Sequence, residues 1–214
     1  FMQEKEITAV FFDVGEVLCD GFSTWANHAI SLKYSIPYSR VVEAEIKAWK
    51  KFGIGDTTED EYFGEIYEDL GIKGDIKYAK RHAGIAVIEE NVDIVRRLKM
   101  NGYQTGIISN HAKPWAERIM NFRDFQKFKY LGVFKNHFDY VVFSCDDNVK
   151  TRKPKEKIYS VAIEKAGVPP EQTIFFDDRR HNVEGFNRFG GKGNLYSHGK
   201  DNLEELLRLS GIRI

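Results

Sequence analysis

Four short apolar runs stand out along the chain, and small or polar residues follow each of them. The runs lie at 8–12, 104–110, 139–145 and 172–178. A short, uninterrupted apolar run is typical of a strand that is covered on both faces, as in a parallel sheet. The pattern therefore predicts four strands of one buried sheet.

Helical spacing of apolar residues fills the intervals between the later strands. Val92, Val95 and Leu98 would share one face of a helix. Pro154 is predicted to open another helix, where its missing N–H costs little, and Gly167 is predicted to close it. This alternation predicts an α/β fold with a parallel sheet and right-handed crossovers.

The alternation is interrupted between the first and second predicted strands, because the sequence pattern there predicts several consecutive helices. Thr58 followed by Glu61 has the spacing of a capping box, and apolar residues then recur at every fourth position. We therefore predict a helical insert at 20–88 and a core made of 1–19 and 89–214.

Charge and cysteine content narrow the classes of function. Lys and Arg number 32, Asp and Glu also number 32, and the formal net charge is zero. This balance argues against a protein driven to nucleic acid or a membrane surface by bulk charge, and no apolar run reaches transmembrane length. Cys19 and Cys145 cannot make a disulfide framework, so we expect a reducing compartment, the cytoplasm.

Reactive side chains follow the predicted strands. Asp13 ends the first, Ser109 the second, and the pair Asp177 and Asp178 the fourth, while Lys153 lies shortly after the third. Ligands of open parallel sheets bind beyond the carboxyl ends of the strands, so these groups are expected to converge. Clustered carboxylates repel one another unless a cation lies among them, and carboxylate oxygens favour Mg²⁺.

Four segments together resemble the motifs of haloacid dehalogenase-superfamily hydrolases. They are FFDVGEVL (11–18), IISN (107–110), RKPKEKIY (152–159) and IFFDDRRHN (174–182), and they occur in the family's order. The resemblance implies a Rossmann-like core with the helical insert as a cap. The first motif has the form DxG, and the third and fourth motifs look closest to DxG-type members that resemble sugar-phosphate phosphatases.

The resemblance also implies roles for the residues around the reacting phosphorus. Asp13 would be the nucleophile and would form an aspartyl-phosphate, which splits one difficult displacement into two easier ones. Ser109 would hydrogen-bond the transferring phosphoryl group, with Asn110 nearby. Lys153 would neutralise charge on that group and keep Asp13 ionised. The implied substrate is a small phosphorylated metabolite.

A second implied set of residues concerns the metal. Mg²⁺ would be bound by Asp13, Asp178 and the backbone carbonyl of Gly15. Asp177 and Asn182 would act through water or by orienting the ligands.

Position 15 departs from the pattern of many phosphatases of this family, which carry a second aspartate there. That aspartate protonates the leaving group and then activates water, and Gly15 can do neither. General acid–base help is typically worth ~10²–10⁴-fold in rate. Glu16 and His111 are the candidates for proton transfer in its place, beside a residue of the cap or water.

Two other functions stay open at this point. A haloacid dehalogenase also uses an aspartate nucleophile and also lacks the second aspartate, but it does not need Asp178 as a metal ligand. A catalytically weak binding protein could keep the fold and use the pocket for recognition. The acidic pair argues against the first alternative, and the retained Asp13 and Lys153 argue against the second.

Three further predictions concern segments outside the motifs. Residues 190–193 (GGKG) are expected to form a flexible loop. The phenylalanine-rich segment 121–138 is expected to pack in the core. Side chains of the insert that face the site are expected among Asp20, Phe22, Trp25, Trp49 and Tyr62.

Overall fold

A computed structural model describes residues 6–122 and 133–214 of the 214-residue chain. Its larger sheet has five strands in the order β5-β4-β1-β6-β7, and all neighbouring pairs are parallel. The strands are β1 (Ala9–Phe12), β2 (Cys19–Gly21), β3 (Ile85–Val87), β4 (Gln104–Ser109), β5 (Tyr140–Phe143), β6 (Thr173–Asp177) and β7 (Lys192–Leu195). The predicted α/β fold with a parallel sheet is confirmed.

Helices follow the strands of this sheet and cover it. The helices are α1 (Ser23–Tyr34), α2 (Tyr38–Phe52), α3 (Glu59–Asp69), α4 (Lys77–His82), α5 (Glu89–Met100), α6 (Lys113–Met120), α7 (Val133–Asn136), α8 (Glu156–Ala166), α9 (Arg180–Phe189) and α10 (Leu203–Leu209). In the described part of the chain, no helix is both long and apolar enough to cross a membrane.

Strand β1 is buried on both of its faces, as its apolar run predicts. Val10 and Phe12 belong to one hydrophobic cluster, whereas Ala9 and Phe11 belong to a second cluster on the opposite side. Side chains alternate along a strand, so these two clusters are the two faces of the sheet.

The register of the central strands decides which side chains meet at the sheet's edge. Phe12 lies opposite Ile107 of β4 and Phe176 of β6. Asp13 and Asp177, the next residue of each chain segment, therefore lie side by side at the ends of β1 and β6. This common edge is where the candidate site lies.

The helical segment is joined to the core by a small ribbon. β2 and β3 pair antiparallel, with Gly21 opposite Ile85, and helices α1 to α4 lie between them in the chain. The capping box predicted at the start of α3 is present: Glu61 N–H donates to Thr58, and the Glu61 carboxylate accepts from Thr58 N–H. The division at 20–88 stays a prediction.

The helical segment also contacts helix α6 of the core through side chains. The indole N–H of Trp115 on α6 donates to Glu59 on α3 at 2.6 Å, and Arg118 forms an ion pair with the same carboxylate. These contacts join the first turn of α3 to α6 of the core, so side-chain contacts hold the helical segment to the core in addition to the ribbon.

Two local predictions are wrong. The first is wrong in part: of the predicted loop 190–193, Lys192 and Gly193 belong to strand β7, and only the two preceding glycines lie outside it. A Cβ on Gly193 would lie 2.6 Å from the backbone oxygen of Val183, so glycine permits α9 to pack closely there. Helix α8 begins at Glu156, so Pro154 precedes the helix instead of opening it.

The phenylalanine-rich segment is described only in part. Phe134 and Phe138 are buried in the core, as expected. Residues 123–132 of that prediction lie outside the described residues.

Candidate active site

Asp13 is held by three donors that converge on one of its oxygens. Oδ1 accepts hydrogen bonds from the backbone N–H of Val14 at 2.8 Å and from the Ser109 hydroxyl at 2.5 Å, and it lies 2.9 Å from Lys153 Nζ. Within the described residues, Oδ2 accepts no hydrogen bond. The carboxylate is therefore fixed by one oxygen, while the other has no protein partner.

Lys153 lies between two carboxylates. Its Nζ is 2.9 Å from Asp13 and 2.6 Å from Asp177, and its side chain is fully buried. Asp177 is held in turn by the Asn182 amide at 3.0 and 3.1 Å and by the backbone N–H of Arg179 at 2.8 Å. This network fixes the ammonium beside the Asp13 carboxylate.

The charges stabilise the ionised forms of both partners. Burial alone would raise the pKa of Asp13, but the Lys153 ammonium and the Ser109 hydrogen bond hold that pKa below its usual value. Burial would lower the pKa of Lys153, and the carboxylates of Asp13 and Asp177 raise it instead. Asp13 is thus an anion near neutral pH.

Three carboxylates fit a divalent cation. Ligand oxygens of Asp13, Asp177 and Asp178 lie within 4.8 Å of one another. Burial, with the charges of Asp13 and Asp177, raises the pKa of Asp178 to about 7, because the opposing charges of Arg179 and Lys153 offset these effects only in part. The buried Oδ1 of Asn182 has no hydrogen-bond partner in the described structure, so a further oxygen donor is available there. Oxygen donors of this kind suit Mg²⁺.

Asn110 faces the backbone of Lys153. Its Oδ1 accepts from Lys153 N–H at 2.8 Å, so its side chain fixes the loop that carries the lysine. It also lines the cavity described below.

Glu16 and His111 stay predictions as proton-transfer groups. Glu16 has a left-handed backbone, with φ of 58°, and burial and the neighbouring Asp20 raise its pKa. His111 is buried with its ring 4.7 Å from that of Phe22, and burial lowers its pKa to about 4. An imidazole with that pKa is neutral near pH 7.

A cavity of about 470 Å³ opens beside these residues, and both parts of the chain line it. The core contributes Asp13, Lys153 and Asp178 among others, and the insert contributes Phe22 and Trp49. Those two confirm part of the prediction for the insert. The other predicted residues of the insert, Asp20, Trp25 and Tyr62, do not line this cavity.

Four charged residues of the cavity were missed by the sequence analysis, namely Glu45, Lys50, Arg152 and Arg179. Glu45 lies on α2 one helical turn before Trp49, and Arg152 directly precedes Lys153. The spacing of Glu45 and Trp49, four residues apart on a helix, was the only signal for Glu45. For Arg152 the signal was its place in the third motif.

Comparison with known proteins identifies the family. A model of haloacid dehalogenase-like hydrolases matches residues 7–190. Phosphoglycolate phosphatase of Escherichia coli K12 is 21% identical over 181 residues, which are 85% of this chain and 62% of that enzyme. The chain thus spans about three fifths of the length of the curated relatives it matches.

Solved structures share the fold. A haloacid dehalogenase family enzyme of Bacteroides thetaiotaomicron has a TM-score of 0.77 at 18% identity, over 95% of this chain and all of that one. The same enzyme, solved in complex with magnesium and inorganic phosphate, has a TM-score of 0.73 over 93% of this chain and 98% of its own. A hydrolase of Porphyromonas gingivalis has a TM-score of 0.75 at 21% identity, over 98% of this chain and all of that one. Because the family model covers most of the sequence, this protein belongs to the haloacid dehalogenase-like hydrolases.

Proposed function

We propose that the protein is a Mg²⁺-dependent phosphomonoester hydrolase that acts on a small phosphorylated metabolite through an aspartyl-phosphate on Asp13. The observation that carries this proposal is the asymmetry of Asp13, whose Oδ1 binds three donors while Oδ2 has no described partner. A nucleophile needs one oxygen free and the whole group held in place.

In the first step, Asp13 Oδ2 forms a bond to phosphorus, the bond from phosphorus to the leaving oxygen breaks, and the leaving oxygen takes up a proton from water. Ser109 and Lys153 lie beside the carboxylate, where they donate hydrogen bonds to the phosphoryl oxygens as charge moves. In the second step, water attacks the phosphorus of the aspartyl-phosphate, inorganic phosphate leaves, and the Asp13 carboxylate is restored.

Asp13, Asp178 and the backbone carbonyl of Gly15 would hold Mg²⁺, with Asp177 and Asn182 in support. When bound, the cation supplies positive charge that offsets the charge of the phosphoryl group. One solved enzyme of the fold, from Bacteroides thetaiotaomicron, has structures that contain magnesium, and the named phosphatase among the relatives supports the reaction class.

The helical segment 20–88 would act as the cap that contacts the leaving group, because Phe22, Glu45 and Trp49 line the cavity from that side. Both cysteines are free thiols, which agrees with a protein that works in the reducing cytoplasm.

Metal removal tests the proposal. Phosphate release from a panel of phosphorylated metabolites is expected to stop in EDTA and to return with Mg²⁺.

Because the pKa of Asp178 is about 7 without a cation, protons compete with the metal below that pH. The Mg²⁺ concentration for half-maximal rate should therefore rise as pH falls from ~8 to ~6. Halide release without metal from a haloacid, or saturable binding of ligands without turnover, would contradict the proposal.

A gain of activity is expected for Gly15→Asp. A Cβ on Gly15 would meet no atom within 4 Å, so a side chain has room to extend from this position. A new acid there should raise kcat for alkyl phosphates by roughly 10- to 100-fold, the lower part of the usual range for general acids. The effect should be far smaller for p-nitrophenyl phosphate, whose leaving group needs no proton.

Gly15→Asn is the matched control, because asparagine has the same shape and carries no transferable acid. Equal rates for the aspartate and asparagine variants on alkyl phosphates would mean that this side chain does not reach the leaving oxygen.

A further inference from the structure

Arg152 is a charged residue of the cavity that the proposed reaction leaves unused. It lines the cavity, is half-buried, and directly precedes Lys153. Over the described ranges 6–122 and 133–214, its guanidinium makes no salt bridge and no side-chain hydrogen bond. Burial lowers the pKa of Arg152, although the Glu45 carboxylate offsets part of this effect.

Glu45 does not serve as the ion-pair partner of Arg152. Its Oε1 accepts a hydrogen bond from the hydroxyl of Tyr62 at 3.1 Å, and the Tyr62 ring is fully buried and stacked on Phe52. The carboxylate is therefore fixed on the side of α2. It acts on Arg152 as a nearby charge and leaves the donors of the guanidinium open toward the cavity.

The phosphate that is cleaved has other partners. Lys153 and Ser109 converge on Asp13, where the phosphorus must lie for attack. A half-buried guanidinium without a partner is costly, and its planar set of donors matches a carboxylate or a phosphate. Arg179 also lines the cavity, and its Nε lies 3.9 Å from the Asp178 carboxylate, so it is directed to the acidic cluster rather than to Arg152.

We infer that the leaving group of the substrate carries a carboxylate, and that Arg152 binds it. This inference rests on the proposed phosphatase function and names its substrate class, a small phosphorylated carboxylic acid. The fixed negative charge of Glu45 beside Arg152 favours a singly charged carboxylate over a second, doubly charged phosphate. Arg152 is thus a specificity-determining residue.

Two phosphomonoesters of matched size test the inference. 2-Phosphoglycolate carries a carboxylate where 2-hydroxyethyl phosphate carries a hydroxymethyl group. The wild-type protein is expected to prefer the acid in kcat/KM by roughly 10- to 100-fold, as for one charge-assisted pair. Arg152→Gln should remove most of this preference, and Arg152→Lys should retain part of it.

Arg180→Gln is the control, because this substitution removes the same charge from the protein at a different place. Arg180 is exposed at the start of α9 and does not line the cavity. This variant should keep the wild-type preference. A preference that survives in Arg152→Gln, or a wild-type protein that favours the alcohol, would overturn the inference while the phosphatase proposal stands. If neither ester nor p-nitrophenyl phosphate is hydrolysed, the proposed function itself fails and the inference falls with it.

Discussion

Asp13→Asn is expected to lower the rate of phosphate release by about 10⁴-fold or more, the range seen when a nucleophile is removed. The amide has the size of the carboxylate but no negative charge, so it cannot form the bond to phosphorus. Steady-state phosphate release with saturating Mg²⁺ measures the loss. Lys153 keeps its contact with Asp177 at 2.6 Å, so the variant should fold.

Asp147→Asn is the matched control for this substitution, since Asp147 is exposed and lies outside the site's cavity. It should leave the rate as in the wild type. Binding of inorganic phosphate to Asp13→Asn, followed by calorimetry, separates loss of chemistry from loss of the site. Near-normal turnover by Asp13→Asn would rule out the aspartyl-phosphate.

Lys153→Met is expected to affect both stability and activity. The ammonium is fully buried between Asp13 and Asp177, so its removal leaves two buried carboxylates facing each other. Loss of one partner from a buried ion pair typically costs about 3–5 kcal/mol in the free energy of unfolding, and loss of an electrostatic contact to the reacting group about 10²–10³-fold in rate. Urea unfolding at ~pH 8 in EDTA measures the change in the free energy of unfolding.

The loss of stability in Lys153→Met should depend on pH. Without Lys153, the pKa values of Asp13 and Asp177 rise in the folded state. The folded state is therefore destabilised at every pH at which these two carboxylates are ionised in the unfolded chain. The penalty should shrink as pH falls from ~8 toward ~5 and the two carboxylates take up protons. Lys157→Met, an exposed lysine on α8, is the control and should show no such change. An equal loss of stability at both pH values would contradict the role of the ion pair.

The sheet and the placement of the reacting groups could be predicted from the sequence because both follow from local pattern. Strand β1 is apolar on both faces, and the chain leaves it at Asp13. Parallel register then brings Asp13 beside Asp177 without any further information. The buried position of Lys153 between them needed coordinates, since a lysine among other lysines usually lies in solvent.

Glu45 and Arg152, which line the cavity, could not be predicted in this way. Glu45 and Arg152 line the same cavity although they are far apart in the sequence, and the hydrogen-bond partner of Glu45, Tyr62, comes from a different helix. Strand β7 was missed because glycines usually indicate turns, whereas the close approach of α9 requires Gly193 here. In each case a contact distant in sequence decides the outcome.

The antiparallel pairing of β2 with β3 has a consequence for how this protein could change over time. Gly21 and Ile85 lie opposite each other, so everything between them departs from the core and returns to it at a single place. A stretch whose two ends already meet can be lengthened, shortened or exchanged without moving the strands that bear Asp13 and Asp177. In the proposed phosphatase, a change of leaving group would therefore require changes in that stretch only, and the residues at the strand ends would stay in place.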